Sequence, residues 1–471
     1  MAEEKPKEAK RWIVYTIDDV PPWRESIFLG FQHYLTMFGA TVLIPILLAG
    51  AMGMPPEDTS ILIATIFFAS GVTTWLQSTI GNKLPVIQGG SFSFLPPTFV
   101  IIGATVGKGM GFEVAVQDIT GAIIAASFFE IILGWSGAMG YFKKFIGPVT
   151  IGPTIALIGL ALYGVGAPVA GGHWLTAGVA LLALIIYSQI LSRKYRLFLL
   201  FPVLLAIITG WGFAAIMTAI GVFGPEHPAY ISVEPIRTAP WFVIPFSNLT
   251  RWGMPNFKLD FALAMVAAYL ASMIEFIGDY YAVARMSEAP VPTSKMISRG
   301  LGTEGIGCFI AGWLQSCNGS TTYSENIGAI GLTRVASRHV VRVGATIMLI
   351  LGVVGKFGGI FATIPSPIVG AMYCGLFGMI ASVGLSNLML CDMQSPRNLF
   401  IIGFIFFMGL SLPVYFQQTP WETPWMPVVG NIVTTIGSTG MAVAGIFGII
   451  MDNIIPGTEE ERGLKTWMEA E

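Results

Sequence analysis

Three carboxylates stand in some of the most apolar stretches of this 471-residue chain. Glu275 and Asp279 lie in ASMIEFIGDYYAVA, and their i, i+4 spacing puts both on one face of a helix. Glu325 lies in the Gly- and Ser-rich run NGSTTYSENIGAIGLT, directly before Asn326. Gln32 and His33 interrupt the apolar run LGFQHYLTMFGA. A carboxylate at the centre of a bilayer costs roughly 2.5–3.5 kcal/mol on insertion scales, so it marks a functional site by default. A carboxyl group poised between its two forms can exchange a proton, and in the neutral form it also donates a hydrogen bond. Together these side chains make a polar chamber inside an apolar protein. Bland roles compete: Asp279 can brace a neighbouring helix, and His33 can satisfy an interhelical hydrogen bond. Glu130 in FFEIILGW and Glu304 in GTEGIG read as pore-lining or packing residues. Asp118, Asp392 and Asp452 lie nearer span ends and read as solvated or capping.

The composition supplies the solvent for such a site. Side chains are 54% hydrophobic and only 11% charged, with a mean hydropathy of +0.72; soluble domains carry about 25% charged residues. A net charge of −2 gives no basic face for nucleic acid. The four cysteines, Cys308, Cys317, Cys374 and Cys391, form no C-x-x-C pair and read as small core residues. The charged start MAEEKPKEAKRW has no apolar signal-peptide core.

A helix needs about 20 apolar residues to cross a bilayer. Hydropathy and Pro/Gly punctuation predict fourteen spans, near 26–49, 60–80, 84–103, 115–139, 147–164, 174–192 and 197–220, then 258–284, 299–317, 320–333, 338–357, 362–384, 398–418 and 430–452. With both termini cytoplasmic, only Lys108, Arg237, Arg251, Lys258 and Lys356 of the 25 basic residues fall outside, as the positive-inside rule expects. Seven spans on each side of a polar, Pro-rich stretch at 221–257 suggest two inverted repeats, because an odd-numbered repeat reverses its orientation. The third span of each half is broken, as LPVIQGGSFSFLPP and NGSTTYSENIGAIGLT. Irregular backbone at membrane depth is tolerated only where protein or a cavity supplies partners. Paired half-helices of this kind aim their partly positive N-termini at a polar ligand.

Four segments, GFQHYLTMFGATVLIP, LPVIQGGSFSF, EFIGDYYAVARM and NGSTTYSENIGAIGLTRVASR, resemble the nucleobase–ascorbate transporter family, also called nucleobase:cation symporter-2 or the xanthine/uracil permeases. Its tenth-span signature is filled by Glu325, Asn326, Gly328, Thr333 and Arg334. The resemblance implies an all-α polytopic membrane protein of two inverted seven-span repeats, with short antiparallel strands in broken spans 3 and 10. It implies a core domain at 26–139 and 258–357 and a gate domain at 140–220 and 358–453, with a cytoplasmic segment at 1–25, an extracytoplasmic linker at 221–257 and a cytoplasmic tail at 454–471. It further implies a homodimer through the gate domains, an elevator-like cycle, and a plasma-membrane location. By position, Glu275 and Glu325 would hydrogen-bond the base, Ser91 and the backbone near Phe92 would meet a ring carbonyl, and Tyr323 and Ala40 would line the pocket. Asn326, Gln32 and His33 would support it, and Asp279 would join the proton relay. No cofactor is expected; the coupling ion is a proton, with sodium as the other possibility.

Glu325 in the signature argues against ascorbate, whose carriers tend to have Pro there, and slightly favours uracil over xanthine. Two other readings make different demands. An anion carrier of the same seven-plus-seven architecture needs basic residues at the broken helices, and a passive channel is indifferent to a proton gradient. No H-E-x-x-H, G-x-S-x-G or Walker-type loop is present to suggest an enzyme or an ATP-driven pump.

Overall fold

The computed structural model describes residues 13–138, 145–421 and 426–464. Parts of the expected 1–25 segment, of the 454–471 tail and of the boundary near 139–144 lie outside the described residues. In the first half the main helices are α1 (Trp23–Met52), α2 (Pro56–Thr79), α3 (Leu95–Thr105), α4 (Phe112–Ser136), α5 (Pro148–Leu160), α6 (Tyr163–Ala170), α7 (Trp174–Ile185) and α8 (Pro202–Ala219). The second half contributes α9 (Leu259–Met286), α10 (Ser294–Trp313), α11 (Ser324–Thr333), α12 (Arg338–Val353), α13 (Gly355–Phe361), α14 (Ser366–Asn387), α15 (Pro396–Gln418), α16 (Pro427–Gly437) and α17 (Gly440–Ile454). Two three-residue strands, β1 (Gln88–Gly90) and β2 (Ser320–Thr322), complete the frame.

Prolines open several of these helices, as Pro56, Pro148, Pro202 and Pro396 do, because the first helical N–H has no partner to lose. Gly53 and Gly137 close α1 and α4 in the left-handed conformation. Among the described residues nine helices are long and apolar enough to cross a membrane, and α16 with α17 adds a tenth, bent by 96°. The remaining expected spans fall on shorter or more polar pieces, α3, α10, α11 and α12, so length and hydropathy alone do not reach fourteen.

Packing follows a paired scheme. α4 runs along α10 as α12 runs along α2, and α1 lies against α12 as α9 lies against α4. α7 meets α8 as α15 meets α17, while α5 packs on α14 and β1 pairs with β2. Exchanging each element for its counterpart in the other half reproduces the list, which is what an inverted repeat requires. The α4–α10 crossing brings Gly134 against the backbone of Gly302, where a Cβ would overlap main-chain atoms; small residues let membrane helices approach this closely.

Two acids depart from expectation. Asp118 is fully buried and takes Asn256 Nδ2 and Lys258 Nζ, each at 2.7 Å. Asp452 is 1% exposed and is held between Arg397 Nη2 at 2.9 Å and Arg462 Nη2 at 3.0 Å. Neither is solvated: both are buried, and a basic partner from a loop or a neighbouring helix offsets the cost. Asp392 does cap, accepting Gln394 N at 2.8 Å. Asp452→Ala strands two largely buried guanidinium groups and should cost about 3–5 kcal/mol, read as a lowered melting temperature of the purified protein; a melting curve like that of the parent chain would refute the buried-pair assignment.

Candidate functional site

The site is built where the backbone is least regular. β1 and β2 pair antiparallel, with Gln88 opposite Thr322, Gly89 opposite Thr321 and Gly90 opposite Ser320, and all six residues are buried. Gly89 leaves room for the Tyr323 ring, which a Cβ there would overlap. A short 3₁₀ turn, Phe92–Phe94, leads from β1 into α3, and α11 starts directly after β2 and Tyr323. Two helices thus begin beside the strand pair; the free N–H groups at the start of α11 make this region partly positive, while Pro96 and Pro97 leave α3 few to offer.

Asn318 closes the turn. Its Oδ1 accepts from Ser91 N at 2.7 Å, and its Nδ2 donates to Ser91 O at 3.1 Å. Ser91 Oγ accepts from Ser93 N at 3.2 Å. The Ser91 polar groups are therefore engaged within the frame, which makes Ser91 a positioning residue. Tyr323 OH donates to Gly90 O at 2.8 Å and accepts from Thr41 Oγ1 at 2.8 Å, tying α1 to the strands beside Ala40.

Onto this frame α9 and α11 bring the acids. Glu275 is half-buried and Glu325 exposed. Glu275 lies within electrostatic reach of Glu325, and Asp279 of both. Ser93 Oγ lies 3.5 Å from Glu275 Oε2, and Ser324 Oγ donates to Asp279 Oδ1 at 2.7 Å. Asp279 Oδ2 has no hydrogen-bond partner among the described residues. None of the three forms an ion pair among the described residues. Gly278 and Gly328, each three residues past a glutamate, have no atom within 4 Å of a would-be Cβ, so the acids border open space.

The supporting residues divide by role. Asn326 Nδ2 donates to His33 O at 2.8 Å and lies 3.2 Å from His33 Nδ1, so this buried pair braces α1 against α11. Gln32 Nε2, on the same helix, is buried with no hydrogen-bond partner. Thr333 and Arg334 finish α11: Thr333 Oγ1 accepts from Val335 N at 3.3 Å, Arg334 adopts φ 61°, and its carbonyl accepts from Val14 N at 2.8 Å. That end of the signature terminates a helix and anchors the N-terminal segment.

One wall escaped the sequence reading. Phe92 meets Phe377 of α14 edge-on, with centroids 5.9 Å apart, and Phe377 stacks on Tyr373 at 5.2 Å. Aromatic residues at helical spacing in an apolar span carry no sign of facing a site, so only tertiary structure reveals them. A separate cavity of about 1380 Å³ opens between α3 and α9 on one side and α15–α17 on the other. It is lined by Pro96, Phe99, Lys108, Asp260, Asn431 and Ser438, and does not include the acids.

A site of uncompensated acids between interrupted helices suits a polar solute crossing the membrane, and comparisons with known proteins agree. The permease-family model Xan_ur_permease matches residues 24–418. Solute carrier family 23 member 2 of Mus musculus is 41% identical over 97% of this chain and 76% of its own length. Solute carrier family 23 member 1 of the same species is 40% identical, covering 98% and 83%. Nucleobase-ascorbate transporter 1 of Arabidopsis thaliana is 36% identical, covering 98% and 93%. The fold is shared with the transmembrane domain of the cyanobacterial bicarbonate transporter BicA (TM-score 0.56, 14% identity, 90% of this chain and 99% of that one). It is also shared with the murine anion transporter Slc26a9 (TM-score 0.58, 11% identity, 92% and 73%). With the family model covering most of the chain and several relatives above one-third identity along its whole length, this multi-pass membrane protein belongs to the nucleobase–ascorbate transporter family, nucleobase:cation symporter-2, and is a transporter and not an enzyme.

Proposed function

We propose that this transporter imports a nucleobase, uracil a little ahead of xanthine or another purine base, by proton symport. The observation that carries the proposal is the grouping of Glu275, Glu325 and Asp279, without a basic partner among the described residues, at the start of α11 and next to the turn that carries Phe92. Imide N–H groups of a base donate to carboxylates, and its flat ring fits against aromatic faces. An anion meets repulsion from the same three acids. The two structural neighbours with anion or bicarbonate in their names share the fold only, and fold does not set the substrate. Ascorbate, named in the plant relative, is ionised near neutral pH and is disfavoured on that ground.

The helices fall into two packed groups, α1–α4 with α9–α12 and α5–α8 with α14–α17, which meet along α1–α8 and α9–α16. In the proposed cycle the first group is the core that carries the base, and it moves past the second, the gate, in elevator fashion. The protein would be a homodimer through the gate helices, in the plasma membrane with cytoplasmic termini. The cation distribution supports that orientation: Arg251 pairs with Asp58, and Lys356 Nζ donates to Ile236 O at 2.8 Å, on the linker face. Arg299 Nη2 donates to Ile80 O at 2.7 Å and Arg342 Nη2 to Ser78 O at 2.8 Å, on the opposite face.

The test is uptake of radiolabelled uracil into proteoliposomes, with unlabelled uracil, xanthine, other bases and ascorbate as competitors. Bases are expected to compete, ascorbate to fail, and an inward proton gradient to drive accumulation. Competition by ascorbate alone would refute the substrate class. Accumulation indifferent to pH but driven by sodium would transfer the coupling to that ion.

A further inference from the structure

Behind the strand pair, away from the base, lies a second group of acids that this cycle does not use. Glu130 of α4 is 1% exposed and Glu304 of α10 fully buried. The Glu130 side chain packs against α10 at Gly305, its Cγ 3.2 Å from where a Cβ would stand. Glu130 lies within electrostatic reach of Glu304, and also of Tyr269 and Tyr280 of α9 and Cys308 of α10. Glu304 Oε2 accepts from Tyr280 OH at 3.0 Å and lies 3.4 Å from Gln77 Nε2. Neither glutamate makes an ion pair among the described residues. Both carboxylate oxygens of Glu130 are buried with no hydrogen-bond partner among the described residues.

Two ionised carboxylates in contact with the same helix segment, screened from water and without a cation, repel strongly in a low-dielectric interior. A positive charge must therefore accompany them whenever both are present at this depth. Among the described residues the groups around them supply no fixed one: Tyr269, Tyr280 and Cys308 carry no positive charge in either of their forms, and Glu275 and Asp279 of α9 are further acids. We propose that Glu130 and Glu304 form a binding site for one monovalent cation, a proton or Na⁺, distinct from the base-binding acids and linked to them through β1.

The link is Gln88. With its carboxamide oriented to satisfy both ends, it donates to Glu304 Oε1 at 2.9 Å and to Thr321 O at 3.2 Å, and it accepts from Thr322 Oγ1 at 2.8 Å. On the same α10, Cys308 Sγ accepts from Ser320 N at 3.2 Å. Loading the acid pair thus changes what Gln88 bonds to, and Gln88 is three residues from Ser91 and four from Phe92. A cation behind the strands would hold the strand pair in the form in which Ser91, clamped by Asn318, positions Phe92 beside the acids. This inference rests on the transporter reading for its purpose, but the site can be tested without any substrate.

The experiment is thermal unfolding of the purified full-length protein without base. It is run across pH 5.5–8.5, and at each pH with NaCl against choline chloride at equal ionic strength, for the parent chain, Glu130→Gln, Glu304→Gln and the double variant. The parent chain is expected to gain about 3 °C or more on cation binding. Each single variant should lose that gain, and the double variant should lose no more than the singles. A gain from Na⁺ at fixed pH identifies sodium; a gain on acidification alone identifies the proton. If a glutamine variant does not fold, Glu304→Asp retains the charge and should shift the cation concentration at half-effect by tenfold or more. No gain in the parent chain, or a gain that survives in the variants, overturns the proposal. Because no base is present, failure here leaves the substrate reading standing, and a wrong substrate leaves this site standing.

Discussion

Glu275→Gln is expected to reduce base uptake about 100-fold or more while the protein stays folded in the membrane. A hydrogen bond to a charged group is worth about 1.5–3 kcal/mol, and each 1.4 kcal/mol is a factor of ten. Glutamine keeps the shape but offers one acceptor oxygen and cannot take up a proton, so binding and coupling fail together. Folding should survive because Glu275 is half-buried and, among the described residues, its carboxylate accepts only the long hydrogen bond from Ser93 at 3.5 Å. The measurement is uptake of labelled base in proteoliposomes alongside the melting temperature of the same preparation. Asp279→Asn provides the contrast. Asparagine keeps an acceptor for Ser324 Oγ, which donates to Asp279 Oδ1 at 2.7 Å, but replaces a hydrogen bond to a charged group by a neutral one, which should cost roughly tenfold. Normal transport by Glu275→Gln would remove that residue from the site.

These acids were legible in the sequence because charge in an apolar run is costly, so each one announces itself. The i, i+4 spacing of Glu275 and Asp279 put those two on one helix face, whereas Glu325, some fifty positions on, joined them only through the family resemblance. The depth of Glu130 and Glu304 was legible on the same ground, but their relation was not. They sit on α4 and α10, 174 positions apart in sequence, and only the glycine-lined crossing at Gly134 and Gly302 makes them neighbours. Phe377 was invisible for the opposite reason: an aromatic residue in an apolar helix looks the same whether it faces lipid, core or site. Asp118 and Asp452 show a third limit. Their positions at helix ends suggested water, yet Lys258, Arg397 and Arg462 come back from neighbouring segments and allow both to be buried. Span counting has a limit too, because the broken and Gly-rich elements that carry function are those least like a continuous apolar helix.

Asn318→Ala should be almost as damaging as loss of Glu275, although Asn318 touches none of the three site acids by any hydrogen bond among the described residues. Its side chain satisfies both main-chain groups of Ser91, at 2.7 Å and 3.1 Å, across 227 positions of sequence. Asn318 and Ser91 are both buried, so truncation leaves an N–H and a C=O with neither water nor protein to bond. Each unsatisfied group costs about 1–3 kcal/mol. The strand pair is only three residues long on each side, and cannot hold the turn before α3 without that clamp. Uptake is expected to fall about 100-fold, with a clear drop in melting temperature, which sets this variant apart from Glu275→Gln. Asn318→Asp is the informative companion. It keeps the acceptor for Ser91 N, loses the donor to Ser91 O, and places a negative charge among buried groups, so it should be no better than alanine despite its matching shape. If Asn318→Asp transports like the parent chain, the clamp is not what holds the turn, and the geometry around Phe92 must be fixed by the Tyr323–Gly90 and Thr41–Tyr323 bonds alone.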